Sequence, residues 1–99
     1  MTEYDTSAMR PYEGVLTIAA IAKSRELRPA VLWVSPSEYG YIQMGLDYLH
    51  EYIDEEERSY LVMRTPERLL VGTDWTLKGG NAILYCRSPD ARIDVLLAS

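Results

Sequence analysis

The segment that most constrains the fold is residues 30–38, AVLWVSPSE, because it holds the end of one element and the start of the next. Residues 30–34 form a short apolar run rich in β-formers, which is typical of a buried strand. Ser35 stands at the N-cap, Pro36 at the first helical position and Glu38 three residues after the cap, as in a capping box. The segment therefore predicts a strand that leads directly into a helix, which we expect to run from Pro36 to about Glu57.

Hydrophobic patterns elsewhere add a second helix and further strands. Residues 13–27 combine alanine-rich apolar positions with basic residues near the end, which favours a helix that Pro29 terminates. Three apolar runs separated by Gly, Asn, Ser, Asp and Pro predict strands joined by short turns, at 68–77, 82–87 and 92–99. We therefore expect an α+β fold, with two helices packed on one face of a mainly antiparallel sheet of about four strands. Its C-terminal part is predicted to be a β-meander.

The chain length of 99 residues predicts a single domain, 1–99, with one modest core. Residues 1–12 show no period and are expected to form an irregular arm. Residues 59–64 are consistent with one more short strand. We expect Trp33 and Trp75 to lie in or beside the core.

Two apolar sectors appear when residues 36–57 are placed on a helical wheel. The first is a stripe spaced 3, 4, 3 and 4, which we expect to face the sheet: Tyr39, Ile42, Leu46, Leu49 and Ile53. The second is a candidate partner interface, since tyrosine and methionine are enriched at interfaces: Tyr41, Met44, Tyr48 and Tyr52. The alternatives are that the N-terminal helix covers this sector, or that its rings stack on nucleic-acid bases.

The net charge of −5 is concentrated in one segment, where five acidic residues stand against Arg58: Glu51, Asp54, Glu55, Glu56 and Glu57. We expect either a solvated helix end or an acidic docking surface for a partner protein. The segment lacks the ligand spacing and the turn glycine of a calcium loop. Basic residues are scattered along the sequence, so direct binding of nucleic acid is not expected.

Motifs for catalysis, cofactors or metals do not stand out in this sequence. His50 is the only histidine, and Cys86, the only cysteine, is expected to be a buried, inert thiol of a reducing compartment. Lys78-Gly79-Gly80 lacks the spacing of a phosphate-binding loop and reads as a turn. We therefore expect a chain that is not an enzyme and that binds no cofactor and no metal.

The longest apolar run, residues 15–22, is far too short to span a bilayer, and acidic residues near the N-terminus do not suit a signal peptide. We expect a soluble protein of the cytoplasm, without a membrane partner.

Two stretches together resemble a pattern in small tailed-bacteriophage proteins: LRPAVLWVSPSEYGYI and, later, RLLVGTDWTLKGGNAILY. In that pattern a strand ending V-S-P-x-x-Y starts a helix, and a later strand precedes a glycine hairpin. The resemblance covers roughly residues 28–85. It implies a phage or prophage origin, in the host cytoplasm or in the virion, and assigns no functional residue.

Two functional hypotheses follow. The first is a non-enzymatic phage-type protein that acts by protein–protein interaction, as a homo-oligomer or a virion or assembly component, through the second sector. The alternative is a small acidic inhibitor that docks on a host protein, such as a nucleic-acid-handling defence enzyme, through the acidic segment.

Overall fold

Two helices each begin at a proline that stands at the first helical position, α1(Pro11–Ser24) and α2(Pro36–Gly45). The computed structural model describes residues 4–46, 49–55, 58–65, 68–87 and 90–98, with backbone only for 55 and 58–60. The expected helix of residues 13–27 is confirmed as α1. It ends where Glu26 takes a left-handed φ of 59° and the Leu27 amide donates to the Ala22 carbonyl at 2.9 Å.

The second helix is much shorter than the sequence predicted. α2 does begin at Pro36, and the Tyr39 amide donates to the Ser35 carbonyl at 3.0 Å. The Ser35 side chain makes no capping bond. Its hydroxyl lies 3.2 Å from that of Ser37, which in turn donates to Glu38 Oε2 at 3.0 Å. The predicted extension to Glu57 is wrong, because the helix ends at Gly45 and the chain continues as a strand.

Seven strands form one mixed sheet in the order β1-β7-β6-β2-β5-β4-β3. Their bounds are β1(Tyr4–Thr6), β2(Arg28–Val34), β3(Leu49–Glu55), β4(Arg58–Arg64), β5(Leu70–Thr73), β6(Asn81–Arg87) and β7(Ala91–Leu97). Four neighbouring pairs are antiparallel, while β1–β7 and β2–β5 are parallel. The expected α+β class with a mainly antiparallel sheet is therefore confirmed.

Two details of the predicted sheet are corrected. The sheet has seven strands instead of about four, because β1 lies within the expected irregular arm, β3 occupies residues expected to be helical, and the possible strand at 59–64 is present as β4. The C-terminal meander is wrong, because β2 lies between β5 and β6 and pairs with both. β2 precedes β5 and β6 in the sequence, so the short connection between those two strands does not reveal that β2 lies between them.

Both helices pack on one face of the sheet. The core combines Val15, Ile18, Ala19 and Ala22 of α1 and Ile42 of α2 with alternate residues of the central strands. Paired residues on neighbouring strands share a face, so Met63, Val71, Leu32, Leu84 and Ile93 form one buried row beneath the helices. We call the opposite side the open face, because no described helix contributes to it.

Candidate functional site

The predicted partner interface does not lie on one helix face. Tyr41 and Met44 are on α2, with 58% and 84% of their surface exposed. Tyr52 is on β3 and is 73% exposed, whereas Tyr48 lies outside the described residues. The side chains of α2 and β3 meet where Gln43 Nε2 and His50 Nε2 lie 3.4 Å apart. The described members of the set thus remain exposed, but on two neighbouring elements.

The core stripe predicted for the long helix is likewise divided between α2 and β3. Ile42 is buried, and Tyr39 and Leu46 pack against the core. Leu49 is exposed and Ile53 half-buried on β3, where both belong to the open side of the strand. Spacing of 3 and 4 residues suited a helix, but alternation along 49–55 suits a strand equally well.

Helix α1 packs on α2 but, contrary to one alternative, it does not cover the described members of the second sector. The ring of Tyr12 lies so close to Gly45 that a Cβ there would come within 2.1 Å of Tyr12 Cδ1. This contact is at the end of α2. It leaves Tyr41 and Met44 uncovered in the described part of the chain.

Strands β3 and β4 form a two-stranded ribbon whose outer half extends away from the rest of the sheet. β4 pairs with β5 only at Met63–Val71 and Arg64–Leu70. The four outer pairs of the ribbon, from Tyr52–Leu61 to Glu55–Arg58, therefore have no third strand beside them in that ladder. At about 3.4 Å per residue this outer ribbon is roughly 14 Å long.

Two exposed apolar side chains of the outer ribbon, Tyr52 and Leu61, point to the side on which the helices pack. Tyr52 and Leu61 are paired in register, and Leu61 is 45% exposed. They follow the pair His50–Met63, whose Met63 is part of the core beneath the helices. We refer to Tyr41, Met44, Tyr52 and Leu61 together as the helix-side patch.

The acidic segment is distributed along this ribbon and is not a helix end. Glu51 Oε1 lies 2.6 Å from Arg64 Nη2, so Glu51 is ion-paired. Asp54 is exposed on the outer ribbon. The Glu55 side chain, Glu56 and Glu57 lie outside the described residues. Of the predicted acidic surface, Asp54 is the described member that is exposed.

The open face carries an aromatic groove of about 760 Å³, which no pattern in the sequence predicted. Trp33 of β2 and Ile83 of β6 are paired in register and line this groove. Tyr85, two residues after Ile83 on β6, lines it as well. Trp75, in the turn after β5, is 82% exposed at its edge. Trp33 lies partly buried on the side opposite the helices, and Trp75 is outside the core. The expectation that both tryptophans lie in or beside the core is therefore wrong for Trp75, and Trp33 lies on the open face, outside the core cluster.

A second, smaller groove of about 330 Å³ adjoins the first through Ala30 and Arg87, which line both. Its lining includes four arginines from four different segments, Arg28, Arg64, Arg68 and Arg87. Arg92 lines the aromatic groove, with its guanidinium carbon 5.8 Å from the centre of the Tyr85 ring. Half of the ten basic residues of the chain thus line these two adjoining grooves.

The arginine groove could have been detected only from the sheet pairing. Arg28 is opposite Arg87 in the β2–β6 ladder, and Arg64 is opposite Leu70 in the β4–β5 ladder. Arg68 stands in the loop between β4 and β5, with a left-handed φ of 63°. That loop is closed by Thr65, whose amide and hydroxyl both donate to the Leu69 carbonyl, at 3.1 and 2.9 Å.

Cys86 and His50 lie in different surroundings. Cys86 is 2% exposed, and burial raises the pKa of its thiol, which agrees with a buried thiol. His50 is exposed beside Gln43. Among the described residues there is no group of three or more His, Cys, Asp or Glu that could hold a metal ion. No described helix has the length and apolar character needed to cross a membrane.

Relatives do not assign a role to any of these surfaces. In comparisons with protein-family models, curated proteins and solved structures, nothing matches this chain. Its function must therefore be inferred from three features: the helix-side patch, the acidic outer ribbon and the grooves of the open face.

Proposed function

We propose that this chain is a non-enzymatic protein that acts by protein–protein interaction and self-associates through the helix-side patch. The observation that carries the proposal is the outer ribbon, a two-stranded arm with large apolar side chains exposed. Isolated two-stranded ribbons are at best marginally stable in water. A ribbon that extends past its sheet gains stability when a partner covers its apolar side.

The chemistry of the helix-side patch suits a reversible contact. Tyr52 and Leu61 lie side by side on the ribbon, and Tyr41 and Met44 add exposed area from α2. Tyrosine and methionine provide large contact areas and tolerate solvent before assembly. Large exposed apolar side chains gathered on one side of a small protein are characteristic of interaction surfaces.

The free edge of β3 is a less suitable contact than the patch. Edge strands pair readily with other chains, and charged residues oppose such pairing. Glu51, Asp54 and Glu55 all belong to β3, so two copies of this edge would bring like charges together. Association through side chains of the helix-side patch avoids this repulsion.

The resemblance to tailed-bacteriophage proteins favours an assembly role, as a homo-oligomer or a virion component. An acidic inhibitor that docks on a host protein is the second candidate. It is favoured by the position of Asp54 and Glu55 on the outer ribbon, away from the rest of the sheet. Reversing the charge of Glu55 and Glu56 is expected to abolish binding of such a partner while the chain stays folded.

The experiment for self-association is light scattering after gel filtration over a hundredfold range of protein concentration. We expect a mass that rises with concentration, and a monomer for Leu61→Glu and for Tyr52→Glu. Leu16→Glu is the matched control, since Leu16 is an exposed leucine on α1, outside the patch. Circular dichroism checks that each variant is folded.

Two results would overturn the self-association proposal. One is a wild-type monomer at every concentration. The other is an oligomer that survives Leu61→Glu and Tyr52→Glu as well as it survives Leu16→Glu.

A further inference from the structure

We infer that the two adjoining grooves of the open face together bind single-stranded nucleic acid. The inference is independent of the proposed self-association, because the grooves and the helix-side patch lie on opposite sides of the sheet. It concerns arginine and aromatic side chains that are distant in sequence and that the sheet brings together.

The charge of the grooves is opposite to that of the chain. Five arginines line them, against two aspartates, Asp74 and Asp90. Asp74 already accepts hydrogen bonds from the amide and the hydroxyl of Thr76, at 2.8 and 2.6 Å. The net charge of the whole chain is −5, so the remaining surface is strongly acidic. An anionic ligand is therefore attracted to this one region of the protein.

Three of the five groove arginines are not held in ion pairs with described residues. Within the described part of the chain, Arg28, Arg68 and Arg87 have no ion-pair partner, and Arg64 is paired with Glu51. Arginine guanidinium groups bind phosphate through two parallel hydrogen bonds, which makes them the preferred residues for phosphate recognition. The arginine groove thus matches the phosphates of a nucleic-acid backbone.

The aromatic groove matches the bases. Trp75 is highly exposed, Tyr85 is exposed, and the half-buried Trp33 lines the groove with them. Stacking of bases on such rings is sequence-tolerant, because every base offers a π-face. Arg92 over the Tyr85 ring adds a positive charge beside the stacking surface. Phosphate binding alone would not need three exposed or half-exposed rings.

The length of the surface favours a strand over a single nucleotide. Arg64 on β4 and Arg92 on β7 stand in one row across the sheet, through Leu70, Val31 and Tyr85. This row crosses four strand spacings, which is about 19 Å at roughly 4.8 Å each. Basic residues at both ends of a row with an aromatic centre suit a chain of several nucleotides, as on other sheets that bind single strands.

The test is fluorescence anisotropy of a fluorescein-labelled ten-residue oligothymidylate, titrated with the wild-type protein at 50 and 200 mM salt. With three phosphates contacted, the logarithmic salt slope is about −2.1, and the affinity falls about 20-fold between the two salt concentrations. Arg87→Ala, at the junction of the two grooves, is expected to reduce the slope by about 0.7. Trp75→Ala is expected to weaken binding at least fivefold through lost stacking.

Lys23→Ala is the control, because it removes one positive charge from the exposed end of α1, away from the open face. It is expected to change the affinity less than twofold. The inference fails if the oligonucleotide does not bind at 50 mM salt, or if Arg87→Ala and Trp75→Ala behave like Lys23→Ala. It also fails if a duplex of equal length binds as tightly as the single strand, since stacking would then play no part.

A second copy of the chain, docking its acidic ribbon in the groove, would give a different result. Arg87→Glu would then lower the mass measured by light scattering, while the oligothymidylate would not bind. That outcome would overturn the inference, because the occupant of the grooves would be a second copy of the protein and not nucleic acid.

Discussion

Replacing the two glycines of α2 by alanine is expected to change stability in opposite directions. Alanine is favoured over glycine by about 0.8–1.0 kcal/mol in a helix interior. At Gly40 an added Cβ meets nothing within 4 Å. Gly40→Ala should therefore raise the free energy of unfolding by about 0.8 kcal/mol.

At Gly45 the same change is expected to be destabilising. The added Cβ would lie 2.1 and 2.2 Å from Tyr12 Cδ1 and Cγ, well inside van der Waals contact. To restore contact the ring must move by about 1.5 Å, and overpacking of this kind costs about 1–3 kcal/mol. The gain in helix propensity is small at the last helical residue. We expect a net loss of about 1–2 kcal/mol, so the two variants differ by roughly 10 °C or more in Tm.

Urea unfolding followed by circular dichroism measures both changes by linear extrapolation. A double-mutant cycle with Tyr12→Ala identifies the cause, because Gly45→Ala should no longer be destabilising once the ring is absent. If α2 continued to Glu57, as its wheel pattern suggested, Gly45 would be an interior helical position. Equal stabilisation by Gly40→Ala and Gly45→Ala would thus refute the packing of α1 on α2, as would a cost that persists in Tyr12→Ala.

Two further variants test the sheet. Gly72→Ala should lower the free energy of unfolding by about 1–2 kcal/mol. The reason is that the added Cβ would lie 2.5 Å from Trp33 Cζ3 and 3.1 Å from Val62 Cγ1. An unchanged urea midpoint and an unchanged tryptophan emission spectrum would contradict that close contact. Burial raises the pKa of Cys86 above the ordinary value of 9.0, so its contribution to stability is complete below that pH and is lost as pH rises above it. The difference in unfolding free energy between wild type and Cys86→Ala should therefore decline between pH 8 and 10, and a flat difference would contradict the raised pKa.

The fold class was predictable because it depends on local patterns that the sequence displays directly. Pro36 fixed the start of α2, and the alanine-rich run fixed most of α1. The apolar run 82–87 predicted the strand that is β6, and Cys86 is buried as expected. These features follow from hydrophobic period and backbone geometry within a few residues.

The errors occurred where a distant segment decides the structure. Residues 49–55 have a pattern that suits a helix or a strand, and their pairing with 58–64 settles it. The position of β2 between β5 and β6 likewise depends on pairing across more than thirty-five residues. The arginine groove was not foreseen for the same reason, because Arg28, Arg64 and Arg87 meet only through those pairings.

The parallel pairing of β1 with β7 has a consequence for the order of folding. Tyr4 pairs with Val95, and the Thr6 hydroxyl donates to the Leu96 carbonyl at 3.0 Å, across 90 residues of sequence. Both neighbours of the central strand β2 also come later in the chain. During synthesis the ribbon of β3 and β4 is able to form early, whereas β1 cannot pair until β7 has been synthesised. Such non-local closure is entropically costly and typically slows folding to milliseconds or longer. The nascent chain therefore carries unpaired strand edges until β7 has been synthesised, and a chaperone has most to protect during that interval.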